Sequence, residues 1–372
     1  MPDLVALALP GGPAFVSALE RIWERGDAAL PLDLRQPDSA QRAALAAMAP
    51  ARVVDERGEH AVAGGRPVED GDALVVATSG TTGRPQGVVL THSAVAASAR
   101  ATSTRVGVRP DDRWLACLPL SHVGGLSVVT RALVIGTALT VHPGFDAQAA
   151  EEAARAGANL VALVATALGR LDPACFRVVV LGGARPPEHL PPNAVTTYGM
   201  TETGSGIVYD GRPLDGVDVR LGPDGGIDVR GPMLLRAYRD GHDPKDAEGW
   251  LATGDLGSWD ADGRLVVHGR RGELIITGGE NVWPAPVEAR LAEHPRVTEV
   301  AVAGRPDAEW GERVVAFVVP SGNDPPDLAG LRDWVKQTLP GYCAPRELVL
   351  VDELPRTSIG KVRKDALLGS MP

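Results

Sequence analysis

From residue 91 to residue 164 helical and strand patterns alternate. Helical spacing at 91–104 is followed by a strand at 113–118, a helix at 124–135 and a strand at 137–141. A helix at 146–156, a strand at 159–164 and a strand at 176–181 complete the series. Such alternation leaves few solutions: mostly parallel sheets, covered by helices that bury the apolar stripe of each segment. Upstream, residues 14–30 and 39–49 show helical spacing of apolar side chains, with short apolar segments at Leu30-Pro31-Leu32 and Arg52-Val53-Val54-Asp55.

From about residue 205 the texture changes to short strands and glycine turns. Asp-Gly pairs at 224–225 and 262–263 lie between alternating residues and predict hairpins. The last hundred residues carry their own helices (PVEARLAEHP, DLAGLRDWVKQTL) and strands (VTEVAVAG, ERVVAFVVP, ELVLVDEL), enough for a small α+β domain. The expected organisation is an α/β N-terminal domain over 1–269, with a β-rich subdomain at about 205–269, and a C-terminal domain over 270–372. A chain of 372 residues is long enough for two or three cores.

Composition narrows the function. A net charge of −10 argues against a nucleic-acid surface, and an aromatic content of 4% against a stacking platform for single strands. Cys117, Cys175 and Cys343 are far apart with no metal-type spacing, and read as reduced thiols. The start, MPDLVALALPGG, has no basic n-region, and the longest apolar run, at 160–169, is too short to span a bilayer. A cytosolic protein without an integral membrane segment is expected.

The chemistry is concentrated in one stretch, Thr78 to Val88, TSGTTGRPQGV, directly after the apolar run at 73–77. A simple turn needs two glycines at most. Glycines that free backbone N–H groups, together with the hydroxyls of Thr78, Ser79, Thr81 and Thr82, suit an anion. Gly80 and Gly83 supply the conformational freedom and Arg84 a cation fit for polyphosphate. It is not a Walker A loop, which requires lysine followed by a hydroxyl residue.

This stretch resembles the phosphate-binding motif of the adenylate-forming acyl-CoA ligases, the superfamily that includes luciferases and peptide-synthetase adenylation domains. Further motifs follow in that family's order, together spanning 78–361. Leu118 to Gly125 (LPLSHVGG) resembles the segment whose histidine, here His122, borders the acyl pocket, with Gly124 beside it. Gly182-Gly183-Ala184 resembles the loop backing adenine and acyl group. Tyr198-Gly199-Met200-Thr201-Glu202-Thr203-Gly204 resembles the most diagnostic motif, which implies that Tyr198 can stack on adenine, Thr201 can bond a phosphate oxygen and Glu202 can supply a hard oxygen ligand to Mg²⁺.

The resemblance further implies that Asp255, in Thr253 to Gly257, accepts from both ribose hydroxyls and that Arg270 belongs to the ATP site. Gly272 stands where the family's hinge carries Lys, Asp or a small polar residue, and Gly278-Gly279 would line the pantetheine channel. Lys361, in PRTSIGK, would reach the carboxylate and α-phosphate. ATP, Mg²⁺ and coenzyme A are the implied cofactor and substrates, and a homodimer the implied assembly.

The region before residue 78 is short by roughly a hundred residues against typical members. This compact form, with LPLSHVGGLSVV and GGENVWPAPVEARL, is most similar to the o-succinylbenzoate–CoA ligases of menaquinone biosynthesis. The second carboxylate of that acid calls for a cation, and Arg185 is the candidate. A ligase for another aryl or medium-chain acid is the alternative within the family. A catalytically silent nucleotide-binding protein is the alternative outside it, against which the joint presence of Glu202, Asp255 and Lys361 speaks.

Overall fold

The structure is a computed structural model that describes residues 1–79, 85–183, 186–187, 189–322, 324–356 and 362–369, of Ser79 the backbone only. The chain divides into two compact units. The first comprises Met1–Arg220, Asp228–Ala252 and Trp259–Leu265, the second Leu221–Ile227, Thr253–Ser258 and Val266–Pro372.

In the first unit one seven-stranded sheet has the spatial order Ala237–Tyr238, Pro85–Thr91, Asp72–Ser79, Ala28–Pro31, Leu4–Leu7, Arg52–Asp55, Gly58–Ala61. Its middle is parallel, and the strands at both ends run antiparallel. Leu4–Leu7 and Ala28–Pro31 are buried throughout, which explains why each reads as an unbroken apolar run rather than an alternating one. The helix predicted over 14–30 is shorter: it spans Pro13–Glu24, burying Phe15, Ala18, Leu19 and Ile22. Gly26, at φ +76°, turns the chain, and residues 28–31 become a strand. Apolar spacing at 28–30 fits either period, and the parallel partners of this segment decide for strand.

The second seven-stranded sheet has the order Arg212–Pro213, Gly206–Tyr209, Ala194–Gly199, Val178–Leu181, Leu160–Leu163, Arg113–Ala116, Ala138–Val141. From Ala138–Val141 to Ala194–Gly199 every pairing is parallel, as the alternation predicts. Asp112 anchors the entry to these strands. Its fully buried carboxylate accepts from Arg109 N at 2.7 Å, Asn159 Nδ2 at 2.9 Å and the Arg177 guanidinium. Burial alone raises such a carboxyl, but the hydrogen bonds from Arg177 and Arg109 outweigh it and hold Asp112 below its ordinary value.

Helices His92–Val106 and Val123–Ile135 pack on each other. The buried face of the first is almost all small residues (Ala94, Ser98, Ala99, Thr102, Ser103), which permits close approach. Thr102 Oγ1 bonds the Tyr209 hydroxyl at 3.1 Å, fastening this helix to the second sheet.

A four-stranded sheet, order Asp218–Leu221, Gly226–Arg230, Leu251–Trp259, Leu265–Arg270, occupies the region read as β-rich. Both Asp-Gly pairs stand at its turns, Gly225 at φ +80° and Gly263 at φ +68°.

In the second unit, Glu280–Val282, Ile275–Thr277, Gly311–Pro320 and Val297–Asp307 form an antiparallel sheet, to which Glu347–Leu350 adds in parallel. Residues alternate between two buried faces. Val302, Val314, Ala316 and Val318 meet helices Pro284–Ala292 and Leu328–Lys336, whereas Ala301, Ala303, Val315 and Phe317 pack with Leu354 and Leu367. The helices and strands predicted for 270–372 are all present. No helix among the described residues is long and apolar enough to cross a membrane.

Candidate active site

Strands Asp72–Ser79 and Pro85–Thr91 pair antiparallel, Thr78 opposite Gln86 and Ser79 opposite Pro85. The alternation read from the sequence omitted the second of these strands. Thr78 Oγ1 donates to Gln86 O at 3.2 Å, so this hydroxyl closes the neck of the hairpin. The motif's Gly80, Thr81, Thr82, Gly83 and Arg84 lie outside the described residues, as does the Ser79 side chain.

His122 is the N-cap of helix Val123–Ile135, with extended backbone, and its carbonyl accepts from Leu126 N at 2.9 Å. Its Nε2 lies 3.4 Å from Asp33 Oδ2. That is ion-pair reach, without hydrogen-bond geometry: among the described residues Nε2 has no hydrogen-bond partner. Asp33 is itself clamped by Arg35, Nε on Oδ1 at 2.7 Å and Nη2 on Oδ2 at 2.8 Å. Burial pushes the His122 imidazole below its ordinary 6.5, only partly offset by the Asp33 charge, so it is neutral at neutral pH. Of the two glycines that follow, Gly124 has room for a side chain. A Cβ on Gly125 would run into the carbonyls of Leu118 and Pro119.

Gly182 and Gly183 follow strand Val178–Leu181. A Cβ on Gly182 would lie 2.6 Å from Thr197 Oγ1, and Gly183 takes φ +84°. Ala184 and Arg185 lie outside the described residues.

Strand Ala194–Gly199 leads Tyr198 and Gly199 into a short 3₁₀ turn, Thr201–Thr203. Thr203, fully buried, organises it: Oγ1 accepts from Met200 N at 2.9 Å and lies 2.6 Å from Ser205 O. Glu202 is half-buried, and its Oε1 accepts from the Tyr238 hydroxyl at 3.0 Å. Burial and the Glu202 charge push the Tyr238 phenol well up, which keeps it protonated and a donor.

Behind this turn stands Arg131, 2% exposed. Its guanidinium lies over Trp114 at 4.8 Å, and Nη2 reaches Ser205 Oγ at 3.4 Å. Nε and Nη1 have no acceptor among the described residues. Asp33 and Tyr238 thus touch motif residues without belonging to any motif, and Arg131 touches Ser205, the residue that follows one. Their sequence neighbourhoods carry no spacing that would single them out.

In the second unit Asp255 is buried on strand Leu251–Trp259. Arg270 Nε pairs with its Oδ1 at 3.0 Å, and Arg270 Nη1 donates to Thr253 O at 2.8 Å. The structure therefore brings these two predicted residues together. Gly272 sits in a 3₁₀ turn, Arg271–Glu273, with open space at its Cβ position. Gly278 and Gly279 form a two-residue hairpin loop at φ +61° and +84°, and a Cβ on Gly278 would lie 2.9 Å from the Trp310 ring. Lys361 lies outside the described residues.

Among the described residues no group of three or more His, Cys, Asp or Glu could hold a metal. Mg²⁺ is typically bound by one or two carboxylates together with substrate phosphates. A single carboxylate with one oxygen engaged, as at Glu202, fits that requirement.

Comparison with known proteins agrees with the motif reading. Residues 57–282 match the family described as AMP-binding enzyme, and residues 286–361 match the AMP-binding enzyme C-terminal domain. A protein of Mycobacterium tuberculosis named probable 2-succinylbenzoate–CoA ligase is 42% identical over 330 residues, 82% of this chain and 86% of its own. The indoleacetate–CoA ligase of Aromatoleum aromaticum is 38% identical over 335 residues, 78% of this chain and 66% of its own. The o-succinylbenzoate CoA synthetase of Bacillus subtilis, solved with its acyl-adenylate intermediate, superposes with a TM-score of 0.87 at 28% identity, covering 98% of this chain and 88% of that one. The same enzyme with ATP and magnesium ion gives 0.85, over 99% and 89%. Two matched domains, a shared fold and the motif series in order agree: the chain belongs to the AMP-binding enzyme family.

Proposed function

We propose that the chain is an ATP-dependent o-succinylbenzoate–CoA ligase of menaquinone biosynthesis. The carboxylate oxygen attacks the α-phosphorus of ATP, pyrophosphate leaves, and the coenzyme A thiol then opens the mixed anhydride and releases AMP. The observation that carries this reading is the 42% identity, over 82% of the chain, to a relative of that name.

The chemistry needs what the motifs supply. A carboxylate is a poor electrophile until its oxygen becomes part of a good leaving group, and two anions must meet to achieve that. In this reading residues 78–84 hold the β- and γ-phosphates through backbone N–H and hydroxyl groups. Thr201 bonds a phosphate oxygen and Tyr198 faces adenine, backed by Gly182 to Ala184. Asp255, an acceptor only, takes the ribose hydroxyls, and Arg270 orients it. Glu202 would hold Mg²⁺, which supplies charge neutralisation at the phosphates. His122, neutral, borders the acyl group with Gly124. Arg185 is the cation for the second carboxylate. Lys361 stabilises the charge that develops between carboxylate and α-phosphate.

The second half-reaction requires Lys361 to leave and a thiol to enter past Gly278-Gly279. Gly272 is the proposed pivot. Gly272→Pro is expected to slow thioester formation at least fivefold more than adenylation, read by rapid-quench separation of the two steps. Equal slowing of both would remove the pivot assignment. The same reading places the enzyme in the cytosol, as a homodimer.

The similarity to an indoleacetate ligase favours one second reading, an aryl acid without the second carboxylate. Pyrophosphate release with o-succinylbenzoate, benzoate, indoleacetate and octanoate, with and without coenzyme A, separates them. The expected result is a kcat/KM for o-succinylbenzoate more than tenfold above the others. An aryl monocarboxylate that matches it would transfer the assignment to the second reading.

A further inference from the structure

The two-residue strand Ala237–Tyr238 lies in none of the motifs, yet its segment connects two of them. Leu235 N donates to Glu202 O at 2.7 Å, Arg236 N to Val89 O at 2.9 Å and Arg239 N to Gly87 O at 2.7 Å. Ala237 stands opposite Val89 and Tyr238 opposite Val88, on the strand that starts directly after residues 80–84. Five consecutive residues therefore tie that strand to the Glu202 turn through the backbone.

The Tyr238 side chain adds a link of another kind. Its hydroxyl donates to Glu202 Oε1 at 3.0 Å, and its ring stacks on His242 with centroids 6.1 Å apart and planes at 14°. A phenylalanine would bury the same ring and complete the same strand pairing. What the hydroxyl contributes is a directed donor on one carboxylate oxygen, held by a side chain that is itself held. A glutamate in a short turn, with three rotatable bonds, otherwise has many orientations to lose when it binds a cation.

We propose that Tyr238 is a positioning residue: by engaging Oε1 it holds the Glu202 carboxylate with its remaining oxygen directed to the divalent metal of a metal–ATP complex. The proposal rests on the reading of Glu202 as the metal's carboxylate. Partners that orient a metal-binding side chain without touching the metal are typically worth about 10–100-fold in metal affinity.

The test is Mn²⁺ binding in the presence of ATP, followed by the electron paramagnetic resonance of free Mn²⁺. Four proteins are compared: wild type, Tyr238→Phe, Glu202→Gln and the double variant. Tyr238→Phe is expected to weaken Mn²⁺ binding in the ATP complex about tenfold. Its affinity for metal-free ATP, by calorimetry in chelator, should stay within about twofold, because no nucleotide contact is removed. Glu202→Gln should weaken Mn²⁺ binding at least as much, and the double variant should equal Glu202→Gln, since the hydroxyl acts only through that carboxylate. Excess metal should restore the adenylation rate of Tyr238→Phe but not of Glu202→Gln.

Unchanged Mn²⁺ affinity in Tyr238→Phe would overturn the proposal while leaving Glu202 as ligand. An equal further loss in the Glu202→Gln background would assign Tyr238 a packing role only and overturn it too. Unchanged affinity in Glu202→Gln would overturn the metal assignment itself, and the proposal with it.

Discussion

Lys361→Ala is expected to lower the rate of acyl-adenylate formation by about 10²–10³, leaving the melting temperature within a degree or so of wild type. The expectation follows from where charge appears. As the carboxylate closes on the α-phosphorus, negative charge spreads over oxygens that water no longer solvates, and one preorganised ammonium there is worth several kcal/mol. The ground state holds less of that charge, so the loss falls on the rate more than on ATP affinity. Folding is expected to be spared because a lysine side chain is almost never fully buried in a core unless it is paired. ATP–pyrophosphate exchange measures the first step alone, and a thermal melt controls for folding. A variant that keeps half of the wild-type exchange rate would remove Lys361 from the chemistry.

Gly199→Ala is the second large effect expected, and it arises from backbone crowding. A Cβ at 199 would fall inside contact distance of Ser205 O and lie 2.7 Å from Gly206 Cα. Neither neighbour is a side chain that can swing away. Both belong to the segment that folds back after the Thr201–Thr203 turn, so the pairing of Tyr198 with Val208 and Gly199 with Gly206 must open. Overpacking of this kind typically costs about 1–3 kcal/mol of stability. A displacement near 1 Å carries Thr201 and Glu202 with it and is expected to lower kcat/KM for ATP by about 10². Gly144→Ala, with open space at the Cβ position and outside the site, serves as the control and should leave stability within about 0.5 kcal/mol. Urea melts and ATP titrations of both variants check the pair. Should Gly199→Ala match Gly144→Ala in stability and turnover, the crowding argument fails.

Much of the architecture is legible in the residues because local and tertiary demands coincide there. The strands at 160–163 and 178–181 are parallel and buried throughout, so they appear as continuous apolar runs. The Asp-Gly turns announce themselves because positive φ strongly favours glycine. Where the reading erred, two periods fitted the same residues. Residues 28–30 continue the helical spacing of 14–24, and only their pairing with Leu4–Leu7 makes them a strand. Pro85–Thr91 is not among the elements read from the sequence: placed between a glycine-rich loop and a helix, it becomes a strand through its pairing with Asp72–Ser79.

The site divides along the same line. Residue types in fixed local order, TSGTTGRPQG, YGMTETG, TGD and PRTSIGK, are properties of the chain alone. They mark the family because each motif places its chemistry within a few consecutive residues. Contacts made across large separations leave no such trace. Asp33 meets His122, Arg131 reaches Ser205 and Tyr238 bonds Glu202 only once the sheets and helices of the first unit are assembled. The sequence by itself determined the family, the two matched domains and the kind of chemistry, since these rest on short-range patterns. Tertiary structure alone decided which side chains hold those motifs in place, because packing and hydrogen bonding act between residues that the chain keeps far apart.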